Sequence, residues 1–266
     1  MSGAGKGGRG GWRRLACAGL LLMGLQGCGS LPSMPTPSVA EMKRAALGAA
    51  TDPNTWLPAA GATLILVSDR DRVWSDWARR EQPVFASTAA ARRASDALLY
   101  TSLGAAFASS LWPPGDSEGA AQGQRPAVQL GAVVATATAT QLIKVGVGRA
   151  RPDDSDTLSF PSGHASAAFA GATLTRRNLA RLDLPASTRL LLDAGAVSLA
   201  AATAWARVEA GVHYPSDVLA GAALGNFVAA FVNDAFLREG VLADGVTRVD
   251  VLLLRGGAVL QLSRHF

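Results

Sequence analysis

The sequence predicts an all-α protein that ends in a short β-hairpin. Ala and Gly are abundant while aromatics make up only 6% of the chain, a mixture that suits closely packed helices better than sheets. Apolar runs of helical length recur over 97–112, 127–144, 162–175, 190–206 and 218–233. The tail "VDVLLLRGGAVLQLS" sets two β-like runs on either side of Arg-Gly-Gly, a hairpin pattern. With 266 residues, 49% of them hydrophobic, the chain supports one sizeable domain rather than two.

The first segment is not part of the fold. Lys6, Arg9, Arg13 and Arg14 precede the apolar run "LACAGLLLMGL", and "LQGC" then ends at Cys28. A charged stretch, a short apolar stretch and small residues at the cut describe a secretory signal. The apolar run is short for a bilayer span. A cysteine directly after Gly27 resembles a bacterial lipoprotein signal, which implies a signal peptide over 1–27 and a lipid on Cys28. The competing readings are a plain cleaved signal or an N-terminal anchor. Loss of Cys17 with the signal and modification of Cys28 leave no disulfide. Removing residues 1–27, with four basic and no acidic residues, lowers the formal charge from +5 to +1. The pI near 9.9 is therefore no argument for nucleic acid as a partner.

Residues 28–38 read as a tether, rich in Pro and Ser and extended. A helical domain is expected over 39–240 and the hairpin tail over 241–266. "VAEMKRAALGAA" reads as a short amphipathic helix, and "DPNTWLPAAGATLILVS" as a turn followed by an apolar helix. Asp69 to Asp96 is polar, with Trp74 and Trp77 among arginines. That mixture fits a solvated helix or one lying on a membrane surface. "PPGDSEGAAQGQRP" then separates the first two apolar helices, and "RRNLARLDLPAST" the third and fourth. A spanning helix needs about 20 mostly apolar residues. The longest uncharged stretch, 126–143, contains Gln129, Gln141 and threonines, and the run at 190–206 contains Asp193. The expectation is a compact helical domain held at a membrane by its lipid, with partial insertion left open.

Three polar groups interrupt the apolar helices. In "KVGVGRARP", Lys144 and Arg151 are seven residues apart, which on one helix places both on nearly the same face. Either an anion sits between them, or they form a basic helix end that meets solvent and the dipole. Arg149 falls off that shared face. In "PSGH", Pro161 suits the first helical position, Gly163 lets a ligand approach the main chain, and Ser162 adds a hydroxyl. The cluster fits a phosphate-sized anion at a helix N-terminus, or simply a cap. In "ARVEAGVHYPSD", Arg207 is followed by His213 and Asp217. His213 is expected just before a helix that starts at Pro215, with Asp217 in the first turn, where it can fix the imidazole tautomer or act as a structural cap.

In order and spacing, K-x6-RP, PSGH and R-x5-H-x3-D resemble the signature of the type 2 phosphatidic acid phosphatase and vanadium haloperoxidase superfamily. The serine that often precedes the third-motif arginine is Ala206 here. The resemblance is specific over 144–217 and looser over about 50–235. It implies a six-helix core bundle with all three motifs around one phosphate pocket. His213 would be the nucleophile that becomes phosphohistidine, oriented by Asp217, and His164 the acid that protonates the leaving oxygen. Lys144, Arg151, Ser162, Gly163 and Arg207 would bind phosphate.

No cofactor or metal is expected, because cations take the place of magnesium and no metal-ligand spacing is present; vanadate is expected to inhibit. His265, the third of three histidines, reads as surface. The implied activity is hydrolysis of phosphomonoesters or diphosphates, with a lipid phosphate or a small phosphate ester as substrate. The expected location is the periplasmic side of a bacterial envelope, at the outer membrane because Gly29 and Ser30 follow the cysteine. Alternatives are a broad-specificity periplasmic acid phosphatase, a vanadium-dependent haloperoxidase, and a non-catalytic envelope lipoprotein.

Overall fold

Ser38 opens the first described helix with a capping box: its Oγ accepts from the Glu41 N–H at 3.2 Å, and its own N–H donates to Glu41 Oε2 at 2.6 Å. The structure, a computed structural model, describes residues 36–112, 119–237, 247–254 and 257–264. The expected signal peptide, Cys28, most of the tether and His265 lie outside the described residues. Helix α1 spans Val39–Thr51 and α2 spans Pro53–Val67. Asp52 joins them, since its carboxylate accepts from the Asn54 N–H at 2.8 Å and Pro53 supplies the first turn. The remaining helices are α3 Asp71–Glu81, α4 Thr88–Ser110, α5 Gly119–Val147, α6 Gly163–Leu179, α7 Ala186–Glu209 and α8 Pro215–Leu237.

The expected six-helix core is corrected to eight helices among the described residues. The helical domain contains no strand; β1 Thr247–Leu254 and β2 Gly257–Arg264 pair antiparallel with each other. The two additional helices, α1 and α3, are short and amphipathic. They pack because they present alanines that let backbones approach closely: Ala45 and Ala49 on α1 and Ala78 on α3 are buried. Two expected helix starts also move. α4 begins nine residues before position 97, capped by Ser87. α5 begins at Gly119 and runs through Pro126, inside the stretch read as a linker.

Helix α6 is central and packs against α4, α7 and α8, while α8 also receives α1, α2 and α5. The buried apolar residues are mostly alanine, so cohesion comes from close backbone approach more than from large side chains. The tightest approach is between α6 and α8. A Cβ on Gly225 would lie 2.1 Å from the Ser166 carbonyl oxygen, and one on Gly221 would lie 2.6 Å from that of Ser162. This G-x3-G stripe seats the second and third turns of α8 against the first turn of α6.

At the far end of α5, about 22 Å from Lys144 by helical rise, Gln129 Nε2 donates to Asn178 Oδ1 at 2.7 Å and Asn233 Oδ1 at 3.0 Å. The hydroxyls of Thr136 and Thr140 donate back to carbonyls of their own helix. Gln129, Thr136 and Thr140 are thus satisfied inside the protein, whereas Thr138 and Gln141 lie on the exposed face of α5 beside Leu130, Val134 and Leu142. α5, α7 and α8 are each long and apolar enough to cross a membrane.

Candidate active site

Helix α6 starts at Gly163 with Ser162 as its N-cap, Oγ accepting from the Ala165 N–H at 3.4 Å. Pro161 therefore precedes the cap and does not take the first helical position. Pro215 does start α8, and the Ser162 N–H donates to the Asp217 carbonyl at 2.9 Å, tying the two helix starts together.

Lys144 stands over this corner. A Cβ on Gly163 would be 3.8 Å from Lys144 Cε, and Nζ donates to the carbonyl of Leu158 and, at 3.4 Å, to that of Ser159. The expectation that Lys144 and Arg151 share a helical face is corrected. α5 ends at Val147, and Gly148 takes φ +60, a left-handed conformation that ends helices. Arg151 reaches the same corner from the loop, donating to Asp156 Oδ1 at 2.6 Å and to the Val212 carbonyl at 3.4 Å. Arg207 arrives from the last turn of α7 and donates to Ser95 Oγ at 3.1 Å. Its Nε is buried without a hydrogen-bond partner among the described residues.

These groups form one electrostatic cluster. Lys144 feels Arg151, Arg207 and Asp217; His164 feels Arg207 and Arg151; His213 feels Asp217, Lys144 and Arg207. Three cations in a largely desolvated corner repel each other unless an anion lies between them.

His213 is 2% exposed, and burial pushes its pKa down to about 4 against the opposing pull of Asp217. Its Nδ1 is 3.7 Å from Asp217 Oδ2, beyond hydrogen-bond length, because the carboxylate is already engaged. Asp217 Oδ1 accepts from Arg149 at 2.6 Å; Oδ2 accepts from Ser159 Oγ at 2.5 Å and from the Tyr214 N–H at 2.8 Å. His164 sits at the lip. Its Nε2 is 2.7 Å from Asp96 Oδ1, and burial followed by the Arg207 charge holds its pKa below the ordinary value.

The fold therefore brings Lys144, Arg151, Ser162, Gly163, His164, Arg207, His213 and Asp217 to one place, and of their supports the sequence reading placed only Arg149 behind the site. Arg149 lies against Tyr214, 4.1 Å from the ring centroid to Cζ, and also binds Ser216 and Asp71. Asp71, at the start of α3, accepts from both the N–H and the hydroxyl of Ser216. From α4, Arg92 pairs with Asp153 at 3.0 Å, Ser95 holds Arg207, and Asp96 holds His164. Partners up to 145 residues apart carry no local signal. Among the described residues, no group of three or more His, Cys, Asp or Glu side chains could hold a metal ion.

Comparison with known proteins bears on the same region. Residues 126–239 match the family model described as the PAP2 superfamily. The chain is 44% identical over 112 residues to the decaprenylphosphoryl-5-phosphoribose phosphatase of Mycobacterium tuberculosis (strain H37Rv), covering 39% of this chain and 56% of that protein. It is 33% identical over 128 residues to the lipid A 1-phosphatase of Rhizobium johnstonii, covering 41% of this chain and 47% of that one. The chain thus spans about half the length of these curated relatives. Among solved structures, the fold is similar to a transmembrane PAP2-type phosphatidylglycerolphosphate phosphatase from Bacillus subtilis. The TM-score is 0.50 at 19% identity, over 68% of this chain and 93% of that one.

Proposed function

We propose, proceeding from a chain whose residues 126–239 match the PAP2 superfamily model, that it is a metal-independent phosphatase of lipid phosphates at a bacterial membrane. The observation that carries this is the convergence of Lys144, Arg151 and Arg207 on a buried, neutral His213 and a half-buried His164. Such a corner fits a tetrahedral phosphoryl group whose nonbridging oxygens the cations neutralise, with Ser162 and the Gly163 N–H as neutral donors.

The ring nitrogen of His213 that points away from Asp217 attacks phosphorus, the bond to the ester oxygen breaks, and His164 gives that oxygen its proton. His164, now neutral, takes a proton from water as the water attacks the phosphohistidine. Phosphate leaves, and both imidazoles return to their starting states. Asp217, held by Arg149, stabilises the charge that develops on His213. Lys144, Arg151 and Arg207 do in this pocket what a divalent ion does elsewhere.

A cavity of about 760 Å³ supports the lipid assignment. It is lined by Trp74, Trp77, Trp205, Phe169 and Leu219, and its wall includes Pro215 and Val218, which flank Asp217 in the first turn of α8. The cations and imidazoles of the corner do not line it, and the two meet only through the first turn of α8; an apolar space of that size suits a hydrocarbon tail. The names of the relatives point the same way. The lipid tether at Cys28 and the periplasmic orientation belong to this reading.

The test is a substrate panel on the purified protein in detergent, comparing phosphatidate, phosphatidylglycerol phosphate and a polyprenyl diphosphate with a water-soluble aryl phosphate. Preference for the lipid substrates is expected. Ala201→Trp, which fills the cavity from α7, is expected to lower kcat/KM for them while leaving the aryl phosphate unchanged. Equal rates on all four substrates would contradict the lipid reading and favour a broad-specificity acid phosphatase.

A further inference from the structure

Helix α4 lies wholly outside the segment matched by the family model, yet its first three turns line the candidate site. Along one face, Arg92 pairs with Asp153 in the loop that carries Arg151, Ser95 accepts from Arg207, and Asp96 meets His164. Asp96 makes the only contact among these that falls on an imidazole. Its Oδ1 is 2.7 Å from His164 Nε2, and the two residues are 68 apart in sequence on different helices. The charged groups that act on the ring from the packed elements are Arg207 from α7, Arg151 from the loop, and Asp96 from α4. The two arginines disfavour an imidazolium at position 164; Asp96 favours it.

We propose that Asp96 is a positioning residue for the acid: it binds the Nε2 edge of His164, leaves Nδ1 as the nitrogen that meets the leaving oxygen, and keeps the ring protonated beside two arginines. The imidazolium donates its Nε2–H to Asp96 and gives its Nδ1–H to the departing oxygen. The resulting neutral ring then accepts a proton from water at Nδ1. The chemistry rests on the phosphatase reading; the contact itself does not. The physical reason is local charge balance, since a carboxylate within hydrogen-bond reach offsets cations that would otherwise expel the proton. Asp96 is half-exposed, with its side chain 55% accessible, so solvent weakens the effect without removing it.

The experiment is Asp96→Asn, which keeps size and hydrogen bonding and removes the charge. For an alkyl phosphate, kcat is expected to fall by about tenfold, within the range of general-acid effects. The high-pH limb of kcat/KM is expected to move down by about half a pH unit or more, whereas kcat on an aryl phosphate changes little. In parallel, imidazole NMR on the full-length protein in detergent follows the His164 resonance, identified by its loss in His164→Ala. Its titration midpoint is expected to move down in Asp96→Asn by the same amount. An unmoved midpoint overturns the proposal, and so does an equal loss on alkyl and aryl substrates with the limb in place, which is a structural effect. If the parent protein hydrolyses none of the substrates, the phosphatase reading fails, and the NMR midpoint alone decides whether Asp96 controls the proton on His164.

Discussion

His213 is 2% exposed and its pKa is lowered to about 4, so its ring carries a free lone pair through the physiological range. His164 is half-buried at the lip, where a proton can still be held against Arg207. In the proposed mechanism the nucleophile must be neutral, so activity is expected to be lost as pH falls through about 4. The proposed acid must be protonated, and its pKa is lowered from 6.5, so activity is also expected to be lost as pH rises through a value below 6.5. A bell-shaped kcat/KM profile on an alkyl phosphate, confined to the acidic side of neutrality, is expected; a profile flat from pH 4 to 8 would contradict the assignment. His213→Ala is expected to lower turnover on the order of a thousandfold or more with helical content unchanged by circular dichroism. His164→Ala is expected to cost alkyl phosphates far more than aryl phosphates, because a phenolate leaves without much help. The motif residues at this scale were legible, since each brings its own chemistry. Arg149 was read as lying behind the site, but Asp71, Ser95 and Asp96 were not read at all, because what they do depends on partners on other elements.

The G-x3-G stripe of α8 seats Ser162 and Ser166 close enough that the two helix starts exchange a backbone hydrogen bond. Gly225→Ala would place a methyl 2.1 Å from a carbonyl oxygen and force the helices apart. A loss of about 1–3 kcal/mol or more is expected by thermal denaturation in detergent, together with loss of activity as the Ser162–Asp217 contact opens. Gly131→Ala on α5 is the control. Nothing lies within 4 Å of its added Cβ, so stability is expected to stay level or rise by a few tenths of a kcal/mol. An equal Tm drop in both variants would refute the packing account. The stripe itself was visible as "GAALG" in the sequence, a small-residue spacing with a packing meaning, yet its partner surface was not. The early start of α4 was missed for a related reason: the polar residues of 88–96 read as facing solvent or a membrane surface, whereas Ser95 is buried and, with Arg92 and Asp96, faces the site.

On the outer surface, Leu130, Leu142, Leu190 and Leu191 are each 66–73% exposed, and they sit on two of the three helices long enough to span a bilayer. A domain held only by a lipid would have little reason to show water that much leucine. Cys28→Ser is therefore expected to leave the protein in the membrane pellet after an alkaline carbonate wash; release into the supernatant would restore the tether as the main attachment. For turnover, EDTA is expected to have no effect and orthovanadate to inhibit, since vanadate adopts the geometry of the phosphoryl transition state. A loss of activity on chelation that added magnesium restores would overturn the metal-free mechanism.

From sequence alone came the helical character, the three motifs, and the grouping of cations and imidazoles at a helix start on which the phosphatase proposal rests. Those follow from composition and short-range spacing, which a linear chain carries in full. The tertiary structure decided that Lys144 and Arg151 meet across a broken helix, that α3 and α4 brace the site, and that Gln129, Thr136 and Thr140 of α5 point inward. Each of these depends on which faces of separate helices come together, and alanine-rich helices offer several nearly equivalent faces until close packing selects one.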